Sequence, residues 1–209
     1  MSIATPLAEK RVLLSNIAWS TFEDLARSDR AGARFTYDCG YLEITPLSLR
    51  HERIKKRIAM MIEAAARKIE VPLVGAGSTT LKIAMKRRGV EPDECYYLAH
   101  AGALRDVEEL DLSIDPPPDL AVEVDISTSS LDQLAIYADM GVPEVWIYDE
   151  EVIHVWSLQP DGHYREQPRS VSFPFLRMDE FQEFLRRQPG IEEAEGWRSY
   201  EEWLRRLKT

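Results

Sequence analysis

The sequence predicts an α/β domain, a sandwich in which helices flank a mixed sheet. Three observations carry this. Several short stretches alternate apolar and polar residues with a period of two. One long stretch repeats its apolar residues at helical spacing, and the two kinds of segment are interleaved along the chain rather than grouped. The 209 residues suffice for one sizeable core, and no internal repeat, low-complexity tract or linker divides them. Residues 1–209 are therefore read as a single domain.

The elements follow in chain order. Ser20 and Glu23 have capping-box spacing ahead of a short helix through Leu25 and Ala26. "RFTYDCGYLEIT" (34–45) reads as a hairpin turning at "DCG". From Arg50 to Ile69, the residues Ile54, Ile58, Met61, Ile62, Ala65 and Ile69 form one helical stripe, with His51 near its start. "VPLVGAGSTTLKIAM" (71–85) reads as strand, bend, strand; its GxG opens no helix and lacks a third glycine, so it is no dinucleotide loop. "EPDECYYLA" (91–99) is a strand entered through Pro92. "PPPDLAVEVDISTSS" (116–130) is another, followed by a helix over "SSLDQLAIYADMGV" that Ser129 or Ser130 can cap and that Gly141 and Pro143 end. "PEVWIYD" and "EVIHVWSL" are strands, joined by "DEE", in which Trp146 and Trp156 read as core. "HYREQPRSVSFPFL" completes the sheet. Two amphipathic helices follow, one around Phe181, Phe184 and Leu185, the other spanning 197–207.

Composition narrows the function classes. A hydrophobic share of 44% and a charged share of 30% are those of a soluble globular protein. No apolar run reaches the roughly 18 residues of a membrane span, so no membrane association is expected. The first residues lack the pattern of a secretory signal, and Cys39 and Cys95 offer neither a disulfide framework nor zinc spacing. A reducing cytoplasm is the expected location. The net charge of −10 argues against non-specific coating of nucleic acid. Two basic patches stand out against it, "RHERIKKR" (50–57) and "KRR" (86–88), each read as solvated surface.

The chemistry concentrates in residues 116–130. Leu120, Val122, Val124 and Ile126 alternate on one face of the strand, while the other carries Ala121, Glu123 and Asp125. Burying unpaired carboxylates is costly, so Glu123, mid-strand between valines, points to a site. Side chains two apart on a strand lie roughly 6.5–7 Å apart on one face, within reach of a shared cation. Asp93 sits on another strand; if the two strands pair, Asp93 and Glu123 form a split carboxylate pair. Mg²⁺ held in this way keeps waters, one of which can attack a phosphodiester. Asp119 is too far from Glu123 to share its ion and reads as a turn residue. Ser127, Thr128, Ser129 and Ser130 read as helix caps before they read as a phosphate cradle. No Ser-His-Asp or Cys-His arrangement has spacing support.

"EPDECYY", "PPPDLAVEVDISTSS" and "LDQLAIYADMGVPEVWIYD", with the earlier "YLEITPLSLRHERI" and "GSTTLK", resemble the Uma-two family of the PD-(D/E)XK nuclease superfamily. The likeness runs from about residue 18 to residue 186. It implies a restriction-endonuclease-like core, a mixed four- to five-stranded sheet flanked by helices, with a metal site at the sheet edge. It implies a Mg²⁺- or Mn²⁺-dependent endonuclease acting on DNA, with Asp93 and Glu123 as metal ligands and Asp125 assisting. Asp125 stands where the superfamily motif has lysine. Relatives that carry the lysine on the following helix have it where this chain has Gln133, which is assigned to position water. Lys82 is a substitute cation, and His51 and Glu52 are additional candidates. The rival expectation is a weakened or inactive nuclease fold kept as a binding or assembly module, favoured by the missing lysine and the net negative charge. A homodimer through the aromatics of "GWRSYEEWLRRLKT" and docking of that segment on its own domain are both open.

Overall fold

A computed structural model of the chain describes residues 11–28, 32–125, 129–149, 151–186 and 193–208. Eleven strands in these residues form two sheets. The first comprises β1 (Val12–Leu14), β2 (Ala33–Asp38), β3 (Tyr41–Pro46), β5 (Leu81–Ile83) and β6 (Arg88–Val90), in the order β1-β3-β2-β6-β5 and antiparallel throughout. The second comprises β4 (Val74–Gly75), β7 (Glu94–Tyr97), β8 (Leu120–Asp125), β9 (Glu144–Asp149), β10 (Val152–Leu158) and β11 (Tyr164–Gln167), in the order β11-β10-β9-β8-β7-β4. Only β8 and β9 run parallel, joined by helix α3 (Gln133–Met140), so this second sheet is the mixed one. The expected α/β sandwich is present, with an extra antiparallel sheet.

Two faces of β8 organise the packing. Leu120, Val122 and Val124 point into the main core, where α2 (Leu49–Lys68), α4 (Met178–Arg186) and α5 (Glu193–Arg206) cover the second sheet. Ala121 points the other way, into a smaller core with Leu81, Val90, Ile136 and Tyr137. By alternation Glu123 and Asp125 share that second face. The hairpin β2–β3 buries Phe35, Tyr37 and Leu42 against Phe22 of α1 (Trp19–Arg27). Its polar side, with Arg34, Thr36, Glu43 and Thr45, is buried as well. That polar side is turned toward the acids of β8.

Several local expectations need correction. Helix α1 starts at Trp19, and its cap Ala18 makes no side-chain bond, so Ser20 lies inside the helix and forms no capping box. Trp19 packs against both Phe22 and Tyr37, and this packing fixes the start. Helix α3 is capped by Asp132, which accepts from Ala135 N at 3.0 Å, not by a serine; Ile126, Ser127 and Thr128 lie outside the described residues. The segment 71–85 does form two strands, but β4 joins one sheet and β5 the other. Strand β6, three residues long, escaped the pattern reading. Gly89 within it has no room for a side chain, since a β-carbon there would collide with the Phe22 ring. Gly141 ends α3 in the left-handed region, as expected.

Helix α5 docks on its own domain. Trp197, Trp203 and Leu207 pack on the main core, and the Tyr200 hydroxyl donates to Met61 O at 2.9 Å. Cys39 and Cys95 are both free thiols. No helix among the described residues is long and apolar enough to cross a membrane.

Candidate active site

Strands β7 and β8 pair antiparallel with Glu94 opposite Val122, which sets Asp93 opposite Glu123 one step further. Asp93 N donates to Val122 O at 3.1 Å, and Asp93 Oδ2 accepts from Val124 N at 2.8 Å. Its carboxylate is thereby fixed to the backbone beside Glu123. Both acids reach one guanidinium: Arg34 Nη1 lies 2.7 Å from Asp93 Oδ1 and 3.4 Å from Glu123 Oε2. The Tyr137 hydroxyl, from α3, donates to Glu123 Oε1. His51, held at the α2 start where its N–H donates to Ser48 Oγ at 3.1 Å, places Nε2 within 3.1 Å of Asp93 Oδ2 and 2.9 Å of Arg34 Nη2. A neutral ring nitrogen either donates or accepts, so Nε2 serves Asp93 or Arg34, not both together. The cluster is sealed, with Asp93, His51 and Tyr137 at 0% exposure, Glu123 at 3% and Arg34 at 8%.

Burial and charge act unequally on the two acids. Burial alone would raise Asp93, but the Arg34 guanidinium, His51 and the Val124 N–H outweigh it and hold this carboxyl below its ordinary range. Glu123 is further from Arg34 and lacks a backbone donor. Burial, reinforced by the Asp93 charge, pushes it up to about 7 despite Arg34 and Tyr137. Burial, together with Glu123 itself, raises Tyr137 well above its usual value, so Tyr137 remains a donor.

A second network adjoins the first. Arg11 reaches Glu43 Oε1 at 3.0 Å and Asp125 Oδ1 at 2.6 Å. Glu43, fully buried on β3, also accepts from Ser129 Oγ at 2.7 Å and Ser130 N at 2.6 Å. Burial would raise Glu43, but the Ser130 N–H, the Ser129 hydroxyl and Arg11 together bring it below its usual range. Asp125 shares the face of Glu123 but pairs with a different arginine.

The remaining sequence candidates scatter. Gln133 opens α3 partly exposed, one turn before Tyr137, and among the described residues it makes no hydrogen bond to Asp93, Glu123 or Asp125. Lys82 lies on β5 with Nζ 4.0 Å from Glu23 Oε1, in a separate cavity bordered by Glu109 and Asp111. Its strand is at the edge of the first sheet, two places from β2, which carries Arg34. Glu52 is half-exposed, with Oε1 3.3 Å from His51 Nδ1. Asp119 has the turn role expected of it, accepting from Leu98 N at 2.7 Å and His100 N at 3.1 Å.

Sequence reasoning missed Arg34, Arg11 and Glu43, and gave Tyr137 no chemical role. Glu43 carries the same signal as Glu123, an acid between apolar residues in mid-strand. Arg34 carries none, because a charged residue on a hairpin ordinarily faces water.

The two basic patches differ. In 86–88, Lys86 pairs with Asp139 at 2.9 Å, and Arg88 pairs with Asp38 at 2.9 Å and also with Asp139. In 50–57, Arg53, Lys56 and Arg57 instead wall a cavity of about 490 Å³ beside Glu52, which Tyr148 and Trp197 also line.

Among the described residues, no group of three His, Cys, Asp or Glu side chains is arranged to hold a metal ion. The acid pair nevertheless has suitable chemistry. Mg²⁺ is commonly held by one or two carboxylates plus waters and substrate phosphates rather than by an all-protein cage. Asp93 Oδ1 is buried beside the second carboxylate and faces Arg34 Nη1 at 2.7 Å and His51 Nε2 at 3.0 Å. Asp93 and Glu123 therefore fit a hard divalent ion as a two-carboxylate donor set, with Arg34 now at their meeting point.

No curated protein matches the chain. Among solved structures, the chain is similar to a crystal structure from Anabaena variabilis described as "a putative nuclease belonging to DUF820". The TM-score is 0.53 at 15% identity, covering 81% of this chain and 99% of that one, a likeness of fold. The profile of the Uma2 (Uma-two) family, described as "Putative restriction endonuclease", matches residues 19–191, and the chain belongs to this family.

Proposed function

We propose that the protein is a nuclease that hydrolyses phosphodiester bonds of DNA with Mg²⁺ or Mn²⁺ held by Asp93 and Glu123. The observation that carries this reading is the meeting of two buried carboxylates, one on β8 and one at the entrance to β7, at one cationic group. When bound, the ion supplies a polarised phosphoryl oxygen and a water of lowered pKa. The chain's own residues do the rest. Val124 N–H and His51 hold Asp93 in place. Glu123 would share the ion with Asp93, and the Tyr137 hydroxyl orients its carboxyl. Arg34 supplies the positive charge toward the phosphate that lysine would supply at Asp125 or Gln133. Gln133 hydrogen-bonds the water rather than the acids. Asp125, through Arg11, ties β8 to the hairpin.

A second reading, a nuclease fold kept as a binding or assembly module, is favoured by one observation: the acid pair already has a cation in Arg34. Cleavage assays with Mg²⁺ and Mn²⁺ on duplex and single-stranded DNA and on RNA decide between them. Metal-dependent DNA cleavage, lost in Glu123→Gln with the fold intact by circular dichroism, supports the nuclease. Absence of cleavage under every condition supports the module.

A further inference from the structure

We propose that Arg34 is a resident counter-ion of the acid pair, which a divalent cation displaces on binding. The inference rests on the assignment of Asp93 and Glu123 as the metal ligands and adds a role for the group now between them.

Four observations support it. First, one nitrogen, Arg34 Nη1, faces both carboxylates, at 2.7 Å and 3.4 Å, so the guanidinium occupies the point where their oxygens converge. Two ions cannot share that point. Second, the guanidinium is not anchored elsewhere. Among the described residues its partners are Asp93, Glu123 and His51, all within the cluster, and its buried Nε has no hydrogen bond. Arg88 shows the contrast: besides its acids it donates to the Ala135 backbone carbonyl at 3.0 Å, the mark of an arginine that fastens structure. Third, the pairing is incomplete. One guanidinium faces two buried acids, at 2.7 Å from one and only 3.4 Å from the other, whereas a divalent ion would match both. Fourth, His51 Nε2 is contested between Arg34 Nη2 and Asp93. Departure of the guanidinium leaves Nε2 to donate to Asp93 alone, so the histidine gains a settled partner when the ion arrives.

The thermodynamic consequence is a competition inside the molecule. A ligand that binds only the fraction of molecules with Arg34 displaced has its apparent affinity reduced by that fraction, so a guanidinium seated nine-tenths of the time weakens binding about tenfold. Removing the guanidinium relieves that handicap. Retaining the charge as lysine does not.

The test is Mn²⁺ binding to the full chain in the absence of nucleic acid, measured by calorimetry and by the electron paramagnetic resonance signal of free Mn²⁺. Arg34→Met is expected to bind Mn²⁺ about tenfold or more tightly than wild type. Arg34→Lys should stay within a few-fold of wild type, and adding Glu123→Gln to Arg34→Met should abolish the gain. A folded Arg34→Met that binds Mn²⁺ with wild-type affinity overturns the proposal. Where Arg34→Met folds poorly without metal, the thermal midpoint takes the place of affinity. A larger Mn²⁺-induced rise for Arg34→Met than for Arg34→Lys supports displacement, and equal rises overturn it. The nuclease reading fails separately. Mn²⁺ gain without any cleavage by the wild type keeps the counter-ion and removes the nuclease; cleavage by the wild type without Mn²⁺ gain does the reverse.

Discussion

Glu123 and Glu144 are buried glutamates on neighbouring strands of one sheet, at 3% and 0% exposure, and their surroundings have opposite character. Glu144 accepts from Trp146 Nε1 at 2.7 Å, Val171 N at 3.2 Å, Ser172 N at 2.7 Å and Ser172 Oγ at 2.6 Å. All four donors are neutral, and two come from the backbone of the loop that leads to Phe173. That carboxylate is a fastener with its lone pairs filled. Glu123 has a tyrosine hydroxyl, a shared guanidinium at 3.4 Å and a second acid across the strand pair. A buried acid with complete neutral donation serves the fold. One that shares an incomplete charge balance marks a site.

The same substitution at the two positions separates these roles most sharply. Glu123→Gln should lower metal-dependent cleavage on the order of 10²–10³-fold, comparable to loss of one preorganised charge-stabilising group. Its thermal stability should hold or rise, because Arg34 and Asp93 are left as a balanced pair. Single-turnover cleavage together with thermal melts checks both halves; a marked fall in melting temperature would make Glu123 a fastener like Glu144.

Glu144→Gln should do the reverse. The amide nitrogen would face donors where an acceptor is required, at a cost of about 3 kcal/mol for unsatisfied buried groups. Urea unfolding measures this as a lower midpoint at unchanged slope, while cleavage per folded molecule stays at the wild-type level. A stable Glu144→Gln would break the distinction.

How far the sequence could reveal these differences depends on whether the cause was local. Glu123 was legible because a two-residue period makes an inward acid conspicuous, and Asp93 because a proline placed it at a strand entrance. The long helix α2 and the helix α3 with its glycine stop were legible for the same reason: periodicity and turn chemistry are local properties. Arg34 was not. Its partners lie 59 and 89 positions away, and it faces inward only because its own sheet, the first, lies against β8 of the second. The polar side Arg34, Thr36, Glu43 and Thr45 has the pattern of a solvated hairpin face, and only tertiary packing reverses it. Strand β6 was missed because three residues carry too little pattern. Docking of α5 was undecided because an apolar stripe fits a partner chain and its own core equally.

A third buried glutamate sharpens the comparison through pH. Glu43 is held below its ordinary range by donors and Arg11, the opposite of Glu123. For a carboxyl lowered in the folded state, the unfolded chain binds the proton more readily. Its stabilisation is complete above the ordinary glutamate value of about 4.3 and is lost as pH falls through the lower folded value. Glu43→Gln should therefore cost about 2 kcal/mol at neutral pH, the scale of hydrogen bonds to a charged group. The gap from wild type should narrow as pH drops below the ordinary value. Denaturant titrations at several pH values read the gap directly, and one that widened on acidification would contradict the assignment.

The two basic patches offer the mildest contrast. Lys86 and Arg88 are already matched by Asp38 and Asp139, so they have little charge left for phosphate. Arg53 and Lys56 are exposed beside the cavity that begins at Glu52, next along α2 to the buried His51. If DNA approaches the acid pair along this helix, each of these two neutralises a phosphate. Each substitution to alanine should then lower the slope of log affinity against log salt by about one and weaken binding similarly across sequences. Lys86→Ala should leave the slope unchanged. Fluorescence anisotropy with a short duplex in Ca²⁺, over a range of salt, measures both. Equal slopes for all variants would move the DNA track off α2 while leaving the acid pair as the site of chemistry.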